Sequence, residues 1–290
     1  MDKAIIQNFH DTYLNPNIEE LEELWQNIAP KSLIKFYSGN YSSDGRNYSL
    51  ESIENGTLWL SSPACFNDPF DCVLNINYQS KLEEMAREVL VGLCGEETAE
   101  RLMSTDFAKN TLLQRTAHIT DELSMRNKNI ENKIYVSCFS EIENLFSVTM
   151  WAHYANNHSG FCAEYSFHDI NNLCKFGCLP VKYTNSHVRS DNPTSATEGA
   201  NLMLDLVYTK ASAWENEREW RFAEVQEEKV CNGYNIEFIK PNKIYLGCKV
   251  SQSLKDNIIS ICKKFDIELY QMKLKPGSFN LTYDVEELET

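Results

Sequence analysis

The chain has 290 residues, 42% of them apolar, with a formal charge of −15 and a pI near 4.9. That is enough apolar material for one large domain or two modest ones, and the acidity argues against broad electrostatic capture of nucleic acid or of an anionic membrane. No apolar run approaches the roughly 20 residues of a membrane-crossing helix, and the N-terminus lacks a basic-then-apolar signal pattern. Ten irregularly spaced cysteines without a C-x-x-C pair read as reduced thiols in a cytoplasmic protein, not as a disulfide frame or a zinc site.

In chain order, Asn15-Pro-Asn17 precedes Ile18, Leu21, Leu24, Trp25 and Ile28, an amphipathic helix stopped by Pro30, which makes residues 1–30 a helical extension. Ser32 to Ser38 reads as a strand, Tyr48 to Asn55 as a short helix closed by Gly56, and Thr57 to Ser61 as a second strand. The turn Phe66-Asn-Asp-Pro-Phe-Asp71 follows, with Asn67 and Asp68 as side-chain turn formers. Residues 80 to about 130 are charged with weak apolar repeats, predicting a helical insertion. It is a place for a substrate-selecting or partner-binding element, or for a plain structural cap.

The apolar run ending at Ser140 predicts a buried strand. A helix is expected from about Asn144 to His158, with Gly160 as its left-handed cap and a strand from Phe161 to Phe167. Helical spacing puts Trp151, Tyr154 and His158 on one side and Met150, His153 and Asn157 on its neighbour. Two imidazoles, a phenol and an indole on adjoining faces suit a ligand site; the plainer alternative is hydrogen-bonded core packing. Further on come a strand near 179–183, a polar loop at 187–197, and a helix from about Glu198 to Ser212. The last predicted elements are a strand at 243–246, a Ser251-capped helix at 252–264 and a strand at 267–274, leaving 276–290 as a tail. Strands and helices mix without a βαβ period, so a single α+β domain over 31–275 is expected.

Read as a strand, Glu217 to Val225 directs Glu217, Glu219 and Arg221 to one face, and Trp220 and Phe222 to the other. Two carboxylates and a guanidinium on a rigid face can stabilise a developing cation; a self-neutralised, solvated edge-strand face is the plainer alternative. Asp68, Asp71 and His153 also contain metal-ligand atoms, without a spacing rule to support a site. No G-x-S-x-G elbow, Walker loop, G-x-G-x-x-G or H-E-x-x-H occurs.

The succession Leu33-Ile-Lys-Phe-Tyr, Glu54-Asn-Gly-Thr-Leu-Trp-Leu-Ser-Ser-Pro, Phe66-Asn-Asp-Pro-Phe-Asp, Cys138-Phe-Ser, Met150-Trp-Ala-His-Tyr-Ala, His158-Ser-Gly-Phe-Cys, Lys210-x-x-x-Trp214-x-x-Glu217-x-Glu219-x-Arg221 and Ile244-Tyr-Leu-Gly resembles the bacterial domain-of-unknown-function family 2971, from about residue 31 to 275. Phe36-Tyr37 departs from the family's more usual Tyr-Arg. More distantly, the layout resembles the ADP-ribosyltransferase fold, which implies a mixed, split β-sheet holding NAD as substrate in its cleft. That resemblance implies NAD cleavage or ADP-ribosyl transfer, with Glu219 stabilising the ribosyl cation and Glu217 orienting it or activating the acceptor. It places His153 or Tyr154 on the ribose or amide, Trp151 or Tyr37 against the nicotinamide, and Asn67, Asp68 and Ser140 as polar anchors. Arg221 or Lys210 becomes the diphosphate partner. A toxin or phage-defence role follows by the same analogy, with a protein or nucleic-acid acceptor and an antitoxin or defence partner. Two rivals are a non-catalytic nucleotide- or peptide-binding module, and a metal-dependent nuclease or phosphodiesterase using Asp68, Asp71, Glu217 and His153.

Overall fold

The structure is a computed structural model and describes residues 3–14, 18–73, 78–105, 132–174, 177–186 and 196–286. Its framework is a ten-stranded mixed sheet assembled from β1 (Ser32–Tyr37), β2 (Thr57–Ser61), β3 (Ile134–Glu141), β4 (Phe161–Ser166), β5 (Leu179–Pro180), β8 (Glu219–Val225), β9 (Gly233–Glu237), β10 (Lys243–Leu246), β11 (Glu268–Leu274) and β12 (Leu281–Val285). Two further short strands, β6 (Lys182–Thr184) and β7 (Thr209–Ala211), pair with each other in parallel. Every pairing in the ten-stranded sheet is antiparallel except β10 with β11, as befits an α+β fold.

The feature that positions the site is a fork. β8 runs along one edge of β3 from Ile134 to Ser140. The other edge of β3 meets β1 only at Ser140 and Glu141, and β2 only at Val136. A strand has two hydrogen-bonding edges, so β1 and β2 must diverge from a common edge, leaving the middle of β3 uncovered. There the Lys35 ammonium reaches across from β1, donating to Ser137 Oγ at 2.9 Å and to the Cys138 carbonyl at 3.0 Å. Beyond β1 the sheet continues through β4, β10 and β11 to β12; beyond β2 lies β9.

Alternation along β1 divides the core. Leu33 joins the larger apolar cluster with Tyr135, Phe139, Tyr165, Trp220 and Phe222. Its neighbour Ile34 joins a smaller cluster on the opposite face, with Trp151, Cys162, Tyr245 and Met272. Helices Lys3–Leu14 and Ile18–Ile28 close the larger cluster: Phe9 packs on Trp25, whose indole meets Phe167 at 5.6 Å and Trp220 at 6.3 Å.

Several expectations meet the structure closely. Tyr48–Asn55 is a helix with Asn47 accepting from Leu50 N and Gly56 as a left-handed cap at φ 62°, and Gln252–Phe265 starts on Ser251, which accepts from Leu254 N. Others are corrected. Helix Lys3–Leu14 precedes the one predicted from the Ile18 pattern, and Asn15-Pro-Asn17 lies outside the described residues. The predicted tail carries β12, paired to β11 from Tyr270 to Leu274. The insertion contains helices Tyr78–Cys94 and Glu96–Met103, while 106–131 lies outside the described residues, as does 187–195 of the polar loop.

The helix expected over 144–158 is only Val148–Tyr154, preceded by a 3-10 turn at Ile142–Phe146. Asn156, Asn157 and His158 all have left-handed backbones, with φ of 47°, 53° and 70°, so the helix does not continue beyond Tyr154 and Gly160 is not its cap. Gly160 serves close approach instead: a Cβ there would lie 2.1 Å from the Tyr37 carbonyl oxygen. The strand predicted from Glu217 begins at Glu219, because Ser212–Glu217 is a 3-10 turn and Arg218 sits at φ 43°.

Candidate active site

Two adjoining hollows open along the fork. The smaller, about 420 Å³, is floored by β3 and walled by the Phe66–Asp71 turn, helix Val148–Tyr154 and the Lys210–Glu219 segment. The larger, about 950 Å³, lies toward β2 and the helix Tyr48–Asn55. Lys35, Phe66 and Cys138 line both, forming the neck between them.

Beneath the smaller hollow lies a buried ionic network. Lys210 Nζ donates to Glu217 Oε2 at 2.5 Å and to Glu219 Oε2 at 2.8 Å, and lies 3.6 Å from Asp71 Oδ2. Arg221 donates from Nε to Glu219 Oε1 at 2.7 Å, and from Nη2 to Asp71 Oδ2 at 2.7 Å and Glu219 Oε2 at 3.2 Å. Its Nη1 completes the set with the Val207 carbonyl at 2.5 Å and Cys72 Sγ at 3.2 Å. Arg221 is 0% exposed and Glu219 only 3%, so these bonds operate without water competition.

Electrostatics follow from that packing. Burial pushes the Glu219 carboxyl up, but Arg221 and Lys210 together more than offset it and hold it down to about 2. For Lys210, burial is likewise overcome by Glu219 and Glu217, so its ammonium is held above the ordinary lysine range. Asp71, Glu217 and Glu219 against Lys210 and Arg221 leave one formal negative charge, three minus two, in the network.

Of the residues singled out from the sequence, Asn67, His153, Tyr154 and Ser140 line the smaller hollow. So do Lys210, Glu217 and Glu219. The turn, helix and acidic segment, far apart in sequence, converge here. Glu217 arrives from the 3-10 turn, not from the strand face expected for it. Its backbone carbonyl accepts from Asn144 Nδ2 at 2.5 Å, and its Oε1 accepts from the Tyr154 hydroxyl.

The two carboxylates are not equivalent. Glu219 accepts three bonds from Arg221 and Lys210. A carboxylate offers about four lone-pair positions, so most of the acceptor capacity of Glu219 is taken by the two buried cations. Among the described residues Glu217 accepts from Lys210 and Tyr154 only, and it retains acceptor capacity. Glu219 is thus the anchor that fixes the two cations, and Glu217 is the carboxylate with more acceptor capacity toward the hollow.

Four other expectations change. Trp151 is fully buried in the cluster on the opposite face, donating from Nε1 to the Leu145 carbonyl at 2.7 Å and packing edge-on to Phe36, so its ring is not presented to a ligand. Arg221 has every nitrogen bound to protein and is unavailable to a diphosphate. Asp68 accepts from Phe70 N at 2.9 Å, the self-satisfied turn, and lies outside both hollows. Tyr37 lines the larger hollow; its ring stacks on Phe161 at 4.9 Å and its hydroxyl bonds Tyr165 at 2.8 Å. Sequence reading missed Lys35, which alternation alone presents as an ordinary strand residue, and it missed Asp71 as an ion-pair partner of Arg221. Among the described residues no group of three His, Cys, Asp or Glu is arranged to hold a metal ion, and no helix is long and apolar enough to cross a membrane.

A family model described as a protein of unknown function, DUF2971, matches residues 150–222. That stretch contains His153, Tyr154, Lys210, Glu217, Glu219 and Arg221; the blocks at 33–37, 54–63 and 66–71 lie outside it. No curated protein and no solved structure matches the chain.

Proposed function

We infer that this member of the DUF2971 family binds NAD in the forked cleft and cleaves its nicotinamide–ribose bond, passing the ADP-ribosyl group to water or another acceptor. The observation that carries the reading is the convergence of Glu217, Glu219, Lys210, Tyr154, His153 and Asn67 on one hollow at the split of the sheet. In the reaction the C1′–N1 bond breaks, and its electron pair leaves with nicotinamide. C1′ acquires cationic character until the acceptor oxygen or nitrogen supplies a new pair and loses its proton.

The network suits that charge development. The excess negative charge of the ion network, fixed beside Glu217 before the substrate arrives, favours a cation there without reorganising, while Lys35 stands at the neck of the cleft. Glu217 takes a hydrogen bond from the ribose through its free acceptor positions, oriented by Lys210 and by the Tyr154 hydroxyl. Glu219 stays ionised throughout, which excludes it as a general acid and keeps Lys210 and Arg221 in place. His153, exposed at the mouth, and Asn67 beside Tyr154 offer polar contacts to the ribose or amide.

Nicotinamide release from NAD tests the reading. Wild-type protein should release it, and Glu217→Gln should slow release by about 10²–10³-fold, the usual effect of removing one electrostatic stabiliser, with NAD still bound and the fold intact, at some cost in thermal stability because Lys210 keeps Glu219 and Asp71 but gives up one buried partner. Undiminished turnover by folded Glu217→Gln would remove that residue from the mechanism.

A further inference from the structure

The larger hollow carries features that bond cleavage does not use. Lys35 is half-buried, and burial lowers its pKa. Its only hydrogen-bond acceptors among the described residues are neutral, Ser137 Oγ and the Cys138 carbonyl. The other cations near the cleft have counter-ions: Lys210 and Arg221 share Glu219, and Arg46 pairs with Glu51. A half-buried ammonium with no carboxylate in hydrogen-bond contact favours an anionic ligand, and Lys35 stands at the neck where both hollows can present one.

Trp59 supplies the second observation. Its neighbours Leu58 and Leu60 are buried, at 1% and 0%, while the indole is 45% exposed and lines the hollow. The ring is backed by Gly233, where a Cβ would lie 2.7 Å from the indole. Asn235, its register partner on β9, and Asn55 add amide donors and acceptors to the same lining. An exposed aromatic plane, polar amides and a cation hydrogen-bonded only to neutral acceptors suit a flat heterocycle bearing phosphate.

We propose that the larger hollow is a purine-nucleotide subsite in which Lys35 receives a phosphate, Trp59 stacks the base and Asn235 with Asn55 meets its edge. The proposal deepens the NAD reading, on which it rests for identifying the occupant as the adenylate half of the dinucleotide.

Calorimetry and tryptophan fluorescence with AMP, adenosine and ribose 5-phosphate, on wild type and on Trp59→Ala, Trp59→Phe and Lys35→Met, test it. AMP should bind at one site with competition from NAD, and more tightly than either fragment. Trp59→Ala should weaken AMP at least tenfold, with Trp59→Phe restoring most of the loss. Lys35→Met should weaken AMP at least tenfold while leaving adenosine nearly unchanged. AMP affinity unaltered by both substitutions, or no saturable AMP binding by a folded protein that cleaves NAD, would overturn the subsite while leaving the cleavage reading intact. AMP binding with these sensitivities in a protein that never releases nicotinamide would uphold the subsite and overturn the cleavage reading.

Discussion

At the scale of single residues, the decisive contrast is between Glu219 and Glu217, two positions apart yet differently committed. Glu219 accepts three bonds from Arg221 and Lys210, whereas Glu217 accepts one from Lys210 and one from Tyr154. The depressed pKa of Glu219 gives a signed prediction. Its folded value of about 2 lies below the ordinary 4.5, so the unfolded chain binds the proton more readily, and the stabilisation is complete above pH 4.5 and lost as pH falls toward 2. Urea midpoints measured from pH 6 downward should fall across that window in wild type. In Glu219→Gln that part of the acid limb should disappear, alongside a loss at neutral pH of about 3–5 kcal/mol from leaving buried cations underpaired. An unchanged acid limb would mean that the carboxyl is not held as described.

These residue-level arrangements show what the sequence could and could not convey. The charged face of Glu219 and Arg221, with Trp220 and Phe222 opposite, was legible because strand alternation holds over β8. Glu217 was misassigned to that strand because period two was carried through Arg218, whose left-handed backbone breaks it. Trp151 was misassigned because helical spacing tells which residues share a side but not which face of the sheet that side meets. Lys35 gave no signal, since its role depends on the uncovered middle of β3, a product of long-range pairing.

At the scale of elements, the short helix Val148–Tyr154 is stopped by three left-handed residues and then locked where Gly160 and Gly247 admit neighbouring backbone. This fixes Tyr154 over Glu217 at the helix's last turn. The N-terminal helix Lys3–Leu14 carries a titratable latch. His10 lies 2.8 Å from the Pro180 carbonyl, and its pKa is lowered to about 4, chiefly by burial and against the opposing pull of that carbonyl. The unfolded imidazole, near 6.5, takes up a proton first, so stability is unaffected above 6.5, declines between 6.5 and about 4, and levels below. Hydrogen exchange over Lys3–Leu14 should therefore quicken, after correction for intrinsic rates, as pH drops through that window. His10→Gln, which keeps a donor for Pro180 but does not titrate, should abolish the dependence; the same slope in the variant would place its cause elsewhere.

At the scale of the whole molecule, β3 couples the architecture to the site. One edge is sealed by β8, which brings the acidic network, while the other is shared by two diverging strands that open the cleft. The α+β class was legible from the irregular succession of strands and helices; β9 and the edge strand β12 were passed over, although Tyr234 and Ile236, and Leu281, Tyr283 and Val285, alternate with polar residues over these short segments.

A crystal structure of Glu217→Gln soaked with NAD tests the central claim most directly, since the variant should bind the dinucleotide without turning it over. The account predicts density along the fork, with the nicotinamide-side ribose between Tyr154 and position 217, the diphosphate at Lys35 and adenine on Trp59. NAD bound with both hollows empty, or no NAD in a crystal whose fork is open to solvent at saturating concentration, would contradict it.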